Sequence, residues 1–354
     1  MRYVLKRFLL FMLIFIFIVF SLPLLVLNLD KSFSKEVSLN SKEEIVVKLY
    51  RHDKDKVEEI NLEKYLEGVL AAEMPATFDI EALKAQAVAS RTYALSKIIN
   101  KQKVHDIADV CDTVHSQAYM DEEDYYNKFG SKKDEYISKI KQAIEETKGE
   151  VLIYNGEIVK NALYFAVSSG VTEEASEVFS FSEPYLQSVN SEFDQDAPNA
   201  YKEYVFSEKE FLNKINKKYK DADVDSFDDV KILEYTTSGS IGKIKLGEEV
   251  IRGLDFRYLF GVNSSNIDME KNGENIIFKV KGYGHGVGLS QWGAGKMAKL
   301  GYTYDEILKH YYSGVEIGDG YSLWVPFIFF EKIFQLIVFF YRCWTKLEWR
   351  CFNE

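Results

Sequence analysis

Apolar positions fall along the chain in three patterns, each with its own structural meaning. The first is a nearly unbroken run from Phe8 to Leu27, interrupted only by Ser21 and Pro23. As a helix, about twenty residues rise about 30 Å, the thickness of a bilayer's hydrocarbon core. Arg2, Lys6 and Arg7 precede the run, and no small-x-small cleavage site follows it, only Leu27-Asn28-Leu29-Asp30. A cleaved secretory signal is the alternative, but these flanks favour an uncleaved anchor. Positive residues stay on the cytoplasmic side, so the chain beyond faces outward. The expected organisation is a cytoplasmic N-terminus over 1–7, a transmembrane anchor over 8–29 and a polar linker over 30–44. An extracytoplasmic catalytic region over 45–317 and a tail over 318–354 follow.

The second pattern has the helical period. Asn61 is a good N-cap, and Leu62, Tyr65, Leu66, Val69 and Leu70 form one stripe. Pro75 disfavours a helical Met74, which predicts a helix over 62–73. Further helices are expected over 80–99 with Asp79 as N-cap, over 132–148, and over 304–312 behind the capping box Thr303-x-x-Glu306. The third pattern marks strands at 45–50, 150–154, 157–167, 231–237, 241–246 and 276–281. Asn155-Gly156 is a hairpin turn between the second and third of these. Helices and strands do not alternate regularly, so the fold class is α+β, with mixed helices and antiparallel-rich sheet around one cleft. The aromatic tail carries Glu331, Lys332 and Gln335 inside its apolar run; it fits a membrane span poorly and an amphipathic surface helix better.

Composition narrows the partners. The 354 residues carry 44 basic and 55 acidic side chains, a formal charge of −11. With no basic block after the first few residues, nucleic acid is not an expected partner, whereas a neutral or mildly charged polysaccharide is permitted. The three cysteines, Cys111, Cys343 and Cys351, make no disulfide framework.

Chemistry concentrates in a few places. Continuing the stripe of the first helix brings Glu73 to its inward face, at the helix's negative end. Desolvation and the dipole both favour a protonated carboxyl there, as a general acid requires. A structural glutamate paired with a buried arginine is the competing reading. Arg91, on an alanine-rich helix with Gln86 and Ser90 on the same side, could be that partner or a substrate-binding group; a buried structural ion pair is the expected role. Cys111 and His115 are four apart, too few for a closed zinc site; Cys111 could equally be an inert buried thiol. From Tyr283 to Gly293, alternating glycines surround His285, Gln291 and Trp292. That path lets backbone approach a ligand closely but lacks the phosphate-loop spacing. Ser168, Ser169 and Gly170 could line the same cleft; they do not make a Gly-x-Ser-x-Gly nucleophile turn.

Taken in order, Glu73-Met74-Pro75, the run Glu81 to Ala94, the Cys111/His115 stretch, Ser169-Gly170 and the run Gly282 to Gln291 resemble the stage II sporulation protein D family. These sporulation proteins are related to the amidase enhancers. The resemblance spans about residues 45–317. It implies a peptidoglycan lytic transglycosylase that cuts between N-acetylmuramic acid and N-acetylglucosamine on denuded strands during forespore engulfment. It implies Glu73 as the catalytic acid/base and a substrate-binding set of Arg91, Tyr93, Ser168, Ser169, Gly170, His285 and Gln291. Cys111 and His115 fall on the family's metal-associated positions, with zinc as the expected structural ion. Stage II sporulation proteins P and M are the implied partners, at the engulfing membrane. A non-catalytic glycan binder that stimulates an amidase is the alternative. Three departures stand out: Ser116 where the family often has a second Cys, Ser168-Ser169-Gly170 for the commoner Ser-Gly-Gly, and the tail.

Overall fold

The computed structural model describes residues 45–321. The expected anchor over 8–29, the linker and most of the tail, with Cys343 and Cys351, lie outside the described residues. Among the described residues, no helix is long and apolar enough to cross a membrane.

The chain opens with a hairpin, β1 (Val46–Arg51) and β2 (Lys56–Asn61), paired antiparallel with Val46 opposite Asn61. α1 (Leu62–Glu73) follows at once, its first turn capped by the Asn61 side chain, which accepts from the Lys64 N–H at 3.2 Å. Leu62, Tyr65, Leu66, Val69 and Leu70 are all buried, as their spacing predicts. α2 (Ile80–Ile99) is the central helix: α1 packs on it, as do the later helices Lys133–Glu146, Gln291–Lys299 and Tyr304–Tyr311 and the strand Glu150–Tyr154. Its alanines at 82, 85, 87, 89 and 94 are fully buried, and their small size allows this crowding. Asp79 does occupy the N-cap position, but its side chain makes no capping hydrogen bond.

β3 (Val110–Cys111) adds to β1 in parallel, and α3 (Glu122–Phe129) and α4 (Lys133–Glu146) follow. β4 (Glu150–Tyr154) pairs on one side with β5 (Glu157–Ile158) and on the other with a C-terminal strand. The strand expected over 157–167 is not continuous. After Val159 the chain leaves β4; the Lys160 and Asn161 N–H groups turn to the Tyr185 hydroxyl, and β6 (Tyr164–Phe165) joins a different partner. One apolar stretch thus serves two sheets, a division that periodicity does not record.

Residues 201–281 build a lobe on a core of their own, centred on Phe211, Phe256, Phe260 and Phe278. Its strands are β7 (Tyr201–Ser207), β8 (Val230–Tyr235), β9 (Ile241–Leu246), β10 (Glu249–Arg252), β11 (Asn266–Asn272) and β12 (Asn275–Lys281). They form two antiparallel three-stranded sheets, ordered β11-β12-β7 and β10-β9-β8. α5 (Glu208–Lys218) and α6 (Gly253–Phe260) cover them. β13 (Leu289–Ser290) returns to pair in parallel with β6, Leu289 opposite Tyr164. α7 (Gln291–Lys299), α8 (Tyr304–Tyr311) with its capping box, and β14 (Glu316–Asp319) complete the fold. β14 pairs with β4 through Asp319, so folded structure passes the expected boundary at 317. The architecture is α+β and mainly antiparallel; β1–β3 and β6–β13 are its parallel pairs among the described residues.

Candidate active site

Glu73 is the last residue of α1 and keeps only partial exposure. Its Oε1 accepts from the Ala118 backbone N–H at 2.7 Å, and its Oε2 faces Gln291 Nε2 at 3.4 Å. Burial pushes its pKa above the ordinary carboxylate value, against the opposing pull of these donors. Lys128 on α3 donates Nζ to the Ala71 carbonyl at 2.7 Å, meeting the negative end of the same helix.

Each neighbour arrives for a local reason. The segment at 117–120 can lie against α1 because Gly68 has no side chain there. A Cβ at Gly68 would sit 2.3 Å from the Tyr119 ring and 2.5 Å from the Met120 carbonyl. Gln291 opens α7, whose N-cap Ser290 accepts from the Gly293 N–H at 3.2 Å. From there Gln291 Nε2 also faces Gln86 Oε1 at 3.4 Å, and Gln86 donates to Ser90 Oγ at 2.9 Å. Tyr65 donates to Gln117 Oε1 at 3.0 Å beneath this chain of amides. Glu73 therefore caps a neutral polar network, with no arginine among its hydrogen-bond partners in the described residues.

Arg91 is placed elsewhere. Its guanidinium is fully buried and bidentate to Glu63, Nη2 to Oε2 at 2.7 Å and Nε to Oε1 at 2.8 Å, with further bonds to the Ile144 and Glu150 carbonyls. Neither partnership with Glu73 nor a face toward substrate survives in this geometry; it ties α1, α2 and α4 together. Tyr93 is likewise buried, 8% exposed, with Lys97 above its ring.

Ser168 is a turn builder here. Its N–H donates to Asp194 Oδ1 at 3.0 Å and its Oγ accepts from the Gly170 N–H at 3.2 Å. Asp194, fully buried, also takes the Ser191 and Ser290 hydroxyls, each at 2.6 Å. Sequence spacing gave no hint of this hub. Ser169 and His285 line a cavity with Glu173, which Glu73 does not line. Glu173 is 4% exposed, bonded to the Ser238 hydroxyl, and burial raises its pKa. His285 Nδ1 accepts from the Val287 N–H at 3.1 Å, and the Phe165 and Phe179 rings flank it. Burial and the nearby Arg257 lower its pKa to about 4, so it is neutral at neutral pH. Gly288, at φ +82°, passes the Leu163 carbonyl so closely that a Cβ would lie 2.1 Å from the oxygen.

Cys111 and His115 do not assemble a metal centre. The Cys111 thiol is buried, 3.4 Å from the Ser116 and Thr113 hydroxyls, whereas His115 is exposed. Among the described residues no three His, Cys, Asp or Glu side chains are grouped to hold an ion. The Ser116 hydroxyl also accepts from the Cys111 N–H at 3.1 Å. Two donors facing different surroundings do not fit zinc, which wants four ligands.

Residues 50–154, from β1 through β4, match the family model described as Stage II sporulation protein. The chain is thereby grouped with bacterial sporulation proteins connected with the cell wall. It belongs to the stage II sporulation protein D family: it is 34% identical over 278 residues to Stage II sporulation protein D of Bacillus subtilis (strain 168), covering 78% of this chain and 80% of that one. The Bacillus amyloliquefaciens protein of the same name is 33% identical over 282 residues, with the same coverage. A Bacillus subtilis protein named Amidase enhancer is 29% identical over 303 residues, 71% of this chain and 40% of its own length.

Proposed function

We propose that this chain is a lytic transglycosylase that cleaves the N-acetylmuramic acid–N-acetylglucosamine bond of peptidoglycan, with Glu73 as its single acid and base. The observation that carries the reading is the Glu73 carboxyl itself, held by a backbone donor and kept protonated more readily than an exposed glutamate. A hydrolase of the two-carboxylate type needs a second acid at fixed separation. Of the carboxyls next in sequence, Glu81 binds Lys84 and the Tyr304 N–H, and Asp79 is exposed at the head of α2.

One carboxyl suffices for the lyase. Protonated Glu73 gives its proton to the glycosidic oxygen as the C1–O bond breaks and its electron pair goes to that leaving oxygen. The muramic C6 oxygen then closes on C1, and its proton passes to the Glu73 carboxylate. Glu73 ends as it began, no water is consumed, and the product carries a 1,6-anhydromuramyl end. In the cell the reading includes a membrane-anchored protein acting outside the cytoplasm on denuded strands during engulfment, alongside stage II sporulation proteins P and M.

Incubating denuded strands with the full chain and with Glu73→Gln, then weighing the products, tests this. Anhydro-ended fragments from the wild type and none from the variant are expected; ends one water heavier would make it a hydrolase instead. The likeness to a protein named Amidase enhancer favours one second reading, a glycan binder without catalysis. It predicts no fragments from either protein and unimpaired glycan binding by both.

A further inference from the structure

Tyr164 is the least explained polar group near Glu73. Its hydroxyl is buried and has no hydrogen-bond partner among the described residues, although Ser90, Gln117 and Glu73 all act on it. An unpaired buried hydroxyl costs about 1–3 kcal/mol, so a fold that retains one invites a functional account.

Its placement is over-determined. Tyr164 begins β6, opposite Leu289 of β13, two residues before Gln291. Its backbone takes a hydrogen bond from His285, whose ring packs against Phe165. The close pass of Gly288 against Leu163 holds the strand from the other end. The glycine-rich segment, whose histidine does not reach the Glu73 carboxyl, thus serves to hold the strand that carries Tyr164.

We infer that Tyr164 is a positioning residue for Glu73: its hydroxyl is the donor that closes on Oε2 when the carboxyl has given up its proton. Oε1 already accepts from Ala118, and among the described residues Oε2 faces the Gln291 amide at a long 3.4 Å. While Glu73 is protonated, Oε2 carries the proton that goes to substrate, and the tyrosine has no strong acceptor. Once the proton leaves, Oε2 becomes a charged acceptor and a hydrogen bond to it gains strength. Among the described residues, the groups with charge or ionisable protons that act on Glu73 or are acted on by it are Lys128 of α3, Tyr65 of α1 and Tyr164 of β6. Lys128 is engaged with the Ala71 carbonyl and Tyr65 with Gln117, which leaves Tyr164 to answer the change. This role rests on the proposed acid/base assignment of Glu73, but its test does not need turnover.

The experiment is infrared titration of the full chain in detergent, taking wild type minus Glu73→Gln to isolate the Glu73 carboxyl band. In Tyr164→Phe, the midpoint of that band should rise by about one pH unit, because a hydrogen bond to the ionised form is lost. Thermal stability at low pH should be unchanged or higher, since the deleted hydroxyl had no partner. Tyr164→Met, which fills irregular space without a hydroxyl, gives the same prediction if the phenylalanine variant folds poorly. On glycan strands, the alkaline limb of the pH profile should move up with the band while KM stays put. An unmoved midpoint in a folded variant overturns the proposal. Should no protein cleave strands, the acid/base reading falls, while the infrared shift still decides whether Tyr164 controls the Glu73 proton.

Discussion

The Ala118 backbone N–H donates to Glu73 Oε1 at 2.7 Å, across 45 residues of sequence. Because a backbone donor cannot rotate away, it fixes which oxygen stays inside and leaves Oε2 toward Gln291. That asymmetry leaves Oε2 as the oxygen available to the proposed chemistry.

Replacing Glu73 by Gln keeps an oxygen for Ala118 but removes the transferable proton. Glycan cleavage should fall by about 10²–10⁴-fold, the usual worth of a positioned general acid. The stability consequence has the opposite sign. Burial raises the native pKa of Glu73 above its unfolded value, so the native state binds the extra proton and loses stability as pH rises through that window. Urea midpoints should therefore show Glu73→Gln at least as stable as wild type at pH 7, with the advantage disappearing well below the ordinary glutamate pKa.

Gly68→Ala places a methyl group into the Tyr119 ring and the Met120 carbonyl. Relief requires moving the 117–120 segment, so we expect a loss of about 1–3 kcal/mol of stability, as for overpacking elsewhere. Cleavage should drop by more than the unfolded fraction explains, because Ala118 moves with its neighbours. Denaturant unfolding and rate measurements on the same preparations would separate the two effects.

Arg91→Met should be severe and not catalytic. It removes the fully buried guanidinium that ties Glu63 to the Ile144 and Glu150 carbonyls, and breaking such a pair costs about 3–5 kcal/mol. Arg91→Lys should recover little, since a lysine cannot make the bidentate contact. If Arg91→Lys instead kept wild-type stability and lost glycan binding and cleavage together, a direct substrate role would follow.

His285 titrates at about 4 in the folded chain. Between that value and the ordinary histidine pKa of about 6.5, the unfolded chain binds a proton the native state refuses, so stability falls as pH falls. Relative to wild type, His285→Phe should lose less stability between pH 6.5 and 4, measured as the difference in urea midpoint. Above pH 7 the two curves should run parallel.

Sequence alone determined the helix over 62–73, its cap at Asn61, the inward placement of Glu73 and the thin alanine helix behind it. Those are local facts: an apolar stripe at helical spacing leaves one face, and a proline ends it. The motifs in order, two of them long, also carried the family, which the comparisons show. Tertiary structure decided the partners. That Arg91 pairs with Glu63 and not Glu73 depends on which way two helices cross. That residues 157–167 split between two sheets depends on β13, more than a hundred residues away, which takes β6 as its partner while β5 stays with the adjacent β4. The donors around Glu73 come from a backbone amide at Ala118 and a side chain at Gln291, 45 and 218 residues distant. Neither carries a periodicity of its own, because a hydrogen bond is made by position in space, and only the folded chain sets that.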